Sequence, residues 1–213
     1  MRKVILVSLV TLAFACDSPF ATDPVAESVA LNAAVRPVER PFRGAIFIET
    51  VDFVLTPCDA APELCAARCG VPESLVPLWV IAFTSEGHAT HLGRFEMFAE
   101  HCSAMRLTDG AVLYGDGVGV LTAANGDELE GTYGSYGMDG DGIDGITGPV
   151  PDEPGTLFFK DTYVFTGGTG RFSRASGSVT DYGKFMLSQS GPVIIEWTME
   201  GSIIYAASDR RNR

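Results

Sequence analysis

Between Val193 and Tyr205 apolar and polar residues take turns. Val193, Ile195, Trp197, Met199, Ile203 and Tyr205 fall on one side, and Glu196, Thr198, Glu200 and Ser202 on the other. A period of two sends one set of side chains into a core and the other into water, so the segment specifies a half-buried strand, not a helix. Comparable runs recur from Phe42 onward and predict strands near residues 43–55, 77–84, 89–101, 111–123, 127–135, 157–166, 172–188 and 193–206. Asn125-Gly126 separates two of these runs and predicts a tight hairpin with a type I′ turn. Strands in this number, with no substantial helix, predict an all-β protein: an eight-stranded antiparallel closed barrel, since closure removes exposed edges, with a sandwich as the alternative.

Composition supports this reading. The 24 glycines would each cost about 1 kcal/mol inside a helix, which excludes coiled coils and helical repeats. A hydrophobic share of 46% is enough to close a core. The net charge of −12 argues against nucleic acid as a partner, because such binding is driven by Lys and Arg on phosphates.

The first residues indicate export. Met1-Arg2-Lys3 is a basic head, and Val4 to Ala15 is an apolar run too short to span a bilayer but suited to a signal peptide, residues 1–15. Leu12-Ala13-Phe14-Ala15-Cys16 resembles the lipobox of bacterial lipoproteins, in which the cysteine becomes the lipidated first residue. Ordinary cleavage and secretion is the alternative. Losing Arg2 and Lys3 leaves 13 basic residues against 27 acidic ones, a net −14. Anionic headgroups repel such a surface, so a covalent lipid (palmitate among its chains), not basic attraction, is the expected membrane anchor at Cys16. Residues 16–41 carry Pro19, Pro24, Pro37 and Pro41 and read as a disordered tether reaching about 25–30 Å. The barrel domain is placed at 42–206, with 207–213 as a tail.

Apart from Cys16 four cysteines remain: Cys58, Cys65, Cys69 and Cys102. An even number in an exported protein predicts two disulfides, and four cysteines allow three pairings. A metal site is the rival, with His88, His91 and His101 nearby, but the CxxC pairs usual for zinc are lacking. No metal and no cofactor is expected.

Three segments carry a family resemblance. Thr90-His91-Leu92-Gly93-Arg94-Phe95, Ala124-Asn125-Gly126-Asp127, and Gly167-Gly168-Thr169-Gly170-Arg171-Phe172 with Ala175-Ser176-Gly177 resemble the allene oxide cyclase and dirigent-like barrels. The resemblance spans roughly residues 42–205 and rests mostly on turn glycines. It implies an eight-stranded, calycin-like barrel around a central pocket, in a family that includes cyclases and proteins guiding radical coupling. No catalytic residue of that family matches position by position.

Chemistry-bearing residues are few. Gly167 to Gly170 reads as a turn, since a phosphate loop would need GxxxxGK[ST]. Asp139, Asp141 and Asp144 lie in a Gly-rich loop from Gly134 to Gly155, without the further oxygen ligands calcium needs. His91, Phe95, Met97, Ala99 and His101 share one face of a predicted strand, making His91 and His101 candidates for acid–base work, with hydrogen-bonded structural histidines as the alternative. Leu157, Phe159, Asp161, Tyr163 and Phe165 alternate likewise. They place a carboxylate on an apolar face, which marks either a functional group or a paired one.

The expected function is a membrane-anchored envelope barrel binding a small apolar ligand, with Phe95, Met97, Tyr133, Tyr163 and Trp197 as pocket candidates. The alternatives are an isomerase or cyclase acting on a hydrophobic substrate, and a structural module with a filled barrel. The ligand, the oligomeric state and the membrane leaflet are not legible in the chain.

Overall fold

The computed structural model describes residues 37–48, 53–137, 145–149, 156–186 and 194–205. The strands are β1 (Val38–Ile48), β2 (Phe53–Pro57), β3 (Leu75–Ala89), β4 (Gly93–Arg106), β5 (Val112–Ala123), β6 (Glu128–Ser135), β7 (Gly145–Pro149), β8 (Thr156–Gly168), β9 (Ser176–Met186) and β10 (Ile194–Tyr205). A single α-helix, α1 (Pro62–Arg68), interrupts them.

The strands β1, β10, β9, β8, β6, β5, β4 and β3 pair in that order, and β3 returns to β1 through Gly44↔Ala89, Ala45↔His88 and Ile46↔Gly87. All these pairings are antiparallel. The circuit is closed, and eight strands form the barrel. The two short strands extend positions already occupied. β2 continues along β3 past β1, at Phe53↔Phe83 to Pro57↔Trp79. β7 pairs with both β5 and β8, the neighbours of β6.

The alternation sets the core. In β10, Trp197, Met199, Ile203 and Tyr205 are buried while Glu196, Thr198 and Glu200 are exposed. The side chain of Ile195 lies outside the described residues. Phe42, Phe95, Leu121, Leu129, Tyr163, Phe165 and Phe172 fill one end of the lumen. Gly119 and Gly131 are needed there: a Cβ at either would run into the Tyr163 ring, whose hydroxyl donates to the Gly119 carbonyl at 2.8 Å. Gly167 and Gly168 end β8, paired with Glu130 and Leu129, and the turn itself begins at Thr169 with one 3-10 turn at Gly170–Phe172; all three glycines take positive φ.

Several expectations need correction. Residues 38–41 are not tether but the start of β1, paired from Val38↔Tyr205. Residues 62–68, between the strands expected near 43–55 and 77–84, are helical. Pro62 presets the first turn, Glu63 faces the positive end of the helix dipole and Arg68 the negative end. The stretch 134–155, read as loop, contains β7; Asp139, Asp141 and Asp144 lie outside the described residues. Residues 172–175 are a turn, with β9 starting at Ser176. The hairpin at Asn125-Gly126 exists but is not type I′, because only Gly126 takes a positive φ (+84°). Ala123 N–H donates to Asp127 O at 2.9 Å and Gly126 N–H to Ala123 O at 2.8 Å, the geometry of a three-residue loop closed by a left-handed glycine.

The helix packs on the outside of the barrel. Cys65 joins Cys58, Val80, Cys102, Ala104, Leu113 and Tyr136 in a second, smaller core. Two disulfides tie it down, Cys58–Cys65 and Cys69–Cys102. Their loops of 7 and 33 residues differ in the chain entropy they remove. Replacing Cys69 and Cys102 together by alanine is expected to lower the unfolding free energy in urea by about 3–4 kcal/mol, and the Cys58/Cys65 double replacement by about 2 kcal/mol.

Candidate functional site

At the other end of the lumen the interior face changes character. Interior residues of the filled end are almost wholly buried, whereas Ile81, His101, Tyr133 and Phe159 retain solvent exposure. At this level polar and aromatic side chains form a belt. Phe159 and Asp161 come from β8, Asp181 from β9, Trp197 from β10, Phe83 from β3, His101 from β4, Tyr114 from β5 and Tyr133 from β6.

Ring contacts link the members. Trp197 meets Phe159 and Phe83 edge to face, with centroids 5.9 and 6.1 Å apart. Phe83 meets His101 at 6.1 Å, and His101 meets Tyr114 and Tyr133 at 5.1 and 5.7 Å. Asp161 and Asp181 stand directly opposite each other on β8 and β9. Both point into the barrel, 3% and 7% exposed.

The polar groups are held differently. Asp161 Oδ1 accepts hydrogen bonds from the backbone N–H of Thr162 (2.6 Å) and Gly134 (3.2 Å), and Asp161 also bonds the Tyr114 side chain. Burial, then the Asp161 charge, keeps the Tyr114 and Tyr133 hydroxyls firmly protonated. Asp181 Oδ1 is buried with no hydrogen-bond partner, and burial raises the Asp181 pKa to about 8. A carboxyl in that state is neutral at pH 7 and serves as donor or acid. His101 Nδ1 lies 2.9 Å from the Tyr133 hydroxyl, and burial, helped by the Arg68 charge, lowers the His101 pKa to about 4. Its ring is therefore a neutral base at physiological pH. Trp197 Nε1 and Ser85 Oγ are also buried without a partner.

The residues singled out by sequence divide between the two ends. His101, Asp161, Tyr133 and Trp197 come together in the belt. Phe95, Met97 and Tyr163 belong to the buried core, at 1%, 4% and 1% exposure. His91 sits not in a strand but in the β3–β4 turn at φ +70°, and does not approach His101's group. Its Nε2 donates to the Pro41 carbonyl at 2.9 Å and its Nδ1 is 3.2 Å from the Tyr205 hydroxyl, so both ring nitrogens are engaged in holding β1 and β10. Cys16 lies outside the described residues. Asp181 and Tyr114 were missed. The signal for Asp181 was present in Val179, Asp181 and Gly183, an apolar face carrying one carboxylate, just as around Asp161.

A groove of about 600 Å³ also lies on the outer face, lined by Arg68, Asp116, Val118, Thr132, Thr162 and Val164 among others. Its polar groups satisfy one another. Arg68 pairs with Glu100 and the Asp116 carbonyl, and Asp116 Oδ2 accepts from Gly70 N–H and the Tyr136 hydroxyl. The belt, with its unpartnered atoms, is the stronger site. Among the described residues no group of His, Cys, Asp or Glu has the arrangement of a metal site. No family model, curated protein or solved structure matches the chain.

Proposed function

We propose that this barrel binds a small, largely apolar molecule at the belt end of its lumen, against Phe83, His101, Tyr114, Tyr133, Asp161, Asp181 and Trp197. One observation carries the reading. Asp181 Oδ1 and Trp197 Nε1 are buried inside the barrel without partners, whereas buried polar atoms are nearly always paired. A ligand seated against the belt satisfies them, and eight-stranded barrels have room for one small molecule. The resemblance to the allene oxide cyclase and dirigent-like barrels belongs to the same proposal, and the closed eight-stranded circuit supports it.

A second reading is an isomerase or cyclase. It is favoured by the pairing of Asp161 with a protonated Asp181, which puts a carboxylate and a carboxylic acid side by side, and by the neutral His101 bonded to Tyr133. Native mass spectrometry of protein taken from its own membranes tests the binding reading. A noncovalent adduct of a few hundred daltons that Trp197→Ala loses is the expected result; a bare chain mass in every preparation counts against it. Turnover of the extracted molecule would distinguish the enzyme from the binder.

The membrane anchor is part of the proposal, resting on the Leu12-Ala13-Phe14-Ala15-Cys16 pattern. Cys16→Ala is expected to move the protein from the membrane to the soluble fraction and to remove the diacylglyceryl mass from its N-terminal peptide. A wild-type mature protein with an unmodified N-terminus would reject the anchor.

A further inference from the structure

We infer that the belt takes an organic cation, an ammonium group carried on an apolar body, with its charge set against Asp181 and Asp161 and beside the rings of Trp197, Phe83 and Phe159. The inference rests on the small-molecule reading and specifies the ligand's chemistry. Its first support is the placement of the carboxyls. Asp161 and Asp181 face each other across two neighbouring strands, a position in which side-chain Cβ atoms lie about 4.5–5.5 Å apart. Burial holds Asp181 protonated, and ionising it would set a second negative charge beside Asp161; a cation seated between the two makes that ionisation favourable.

The second support is that no member of the belt among the described residues supplies a counter-charge to Asp181. Its members on β3, β4, β5, β6, β8, β9 and β10 include no Lys or Arg. The nearby Arg68 is on the outer helix, paired with Glu100. Asp161 Oδ1 is held by two backbone amides, so Asp181 Oδ1 is the buried acceptor still waiting for a donor. An ammonium group is a donor that also carries the missing charge.

Third, aromatic rings gather beside the carboxyls. Phe83 and Phe159 flank the Trp197 indole edge to face, at 88° and 85° to its plane. Cations are attracted to aromatic faces, best to tryptophan, and more strongly where water is excluded. A net charge of −12 further raises the local concentration of cations over anions.

Trp79 is partly exposed beyond Ile81 on β3 and is the one other tryptophan of the chain, so a Trp79→Phe protein leaves Trp197 as the sole tryptophan reporter. That protein is titrated with 2-phenylethylammonium, with its neutral analogue 2-phenylethanol, and with the neutral apolar dye N-phenyl-1-naphthylamine. The cation is expected to bind at least tenfold more tightly than the alcohol while shifting Trp197 emission. Adding Asp181→Asn is expected to abolish that preference, bringing the cation's affinity down to that of the alcohol. If the dye binds but the cation binds no better than the alcohol, or Asp181→Asn keeps the preference, the cation assignment fails and the small-molecule reading stands. If none of the three binds, both fall.

Discussion

Replacing Asp181 with asparagine is expected to stabilise the protein by roughly 3–5 kcal/mol at pH 8 and to change little near pH 4. The sign follows from the raised pKa. An unfolded Asp181 releases its proton near pH 3.8, whereas the folded one keeps it to about pH 8. Between those values the folded state binds the extra proton, so stability is complete at low pH and is lost as pH rises through the window. Asparagine keeps the shape of the neutral acid and has no charge to bury. His101 slopes the other way. Its folded pKa of about 4 lies below the ordinary 6.5, so its contribution is present above pH 6.5 and is lost as pH falls toward 4. In the wild type the two slopes offset each other between about pH 4 and 6.5 and leave a net decline from there to about pH 8. In Asp181→Asn the decline should disappear and only the acid-side loss remain. Urea unfolding at pH 4, 6 and 8 measures both, and a variant no more stable than wild type at pH 8 would show that Asp181 is ionised in the fold.

Trp197→Ala is expected to cost about 3–5 kcal/mol, because the indole is 7% exposed and packs against Phe83 and Phe159. Thr198→Ala, one residue along and pointing to water, should stay within about 0.5 kcal/mol. A third variant separates the ring from its polar atom. Trp197→Phe keeps most of the packing and deletes an N–H that has no partner, so its cost should be well below that of alanine. A Trp197→Phe loss as large as that of Trp197→Ala would mean that Nε1 is satisfied in solution by a bound molecule or water.

What the chain disclosed in advance was local. The alternation of β8 and β10 set which residues face inward, and so placed Asp161 and Trp197 in the barrel interior. A turn of the chain at Asn125-Gly126 was legible, but not its type, because the φ of Asn125 depends on how the two strands meet. The helix at Pro62–Arg68 is too short to show a period, and it is stabilised by Cys65 packing and two disulfides more than by propensity. The pairing of Asp161 with Asp181 was not readable at all. It depends on the register of β8 against β9, set by the turn from Gly168 to Ala175, and one residue of slip would have turned Asp181 outward. His91 shows the same limit. Strand periodicity placed it beside His101, and a left-handed turn residue broke that periodicity.

The order of the strands around the barrel also dictates an order in time. Both disulfides lie within residues 58–102, so every atom they join is present once the chain has been made as far as β4. Closure of the wall is different: β1 must wait for β10, its partner from Val38↔Tyr205 to Ile48↔Ile195. Contacts so remote in sequence form slowly, since a long loop has to be closed before they contribute. The helix, β3 and β4 can thus be locked together by oxidation while β1 still lacks one of its two neighbours. Until β10 arrives, β1 presents an open edge able to pair with another chain. The last strand made is the one that ends this exposure, and a chain stalled before Ile194 is expected to aggregate more readily than the full chain.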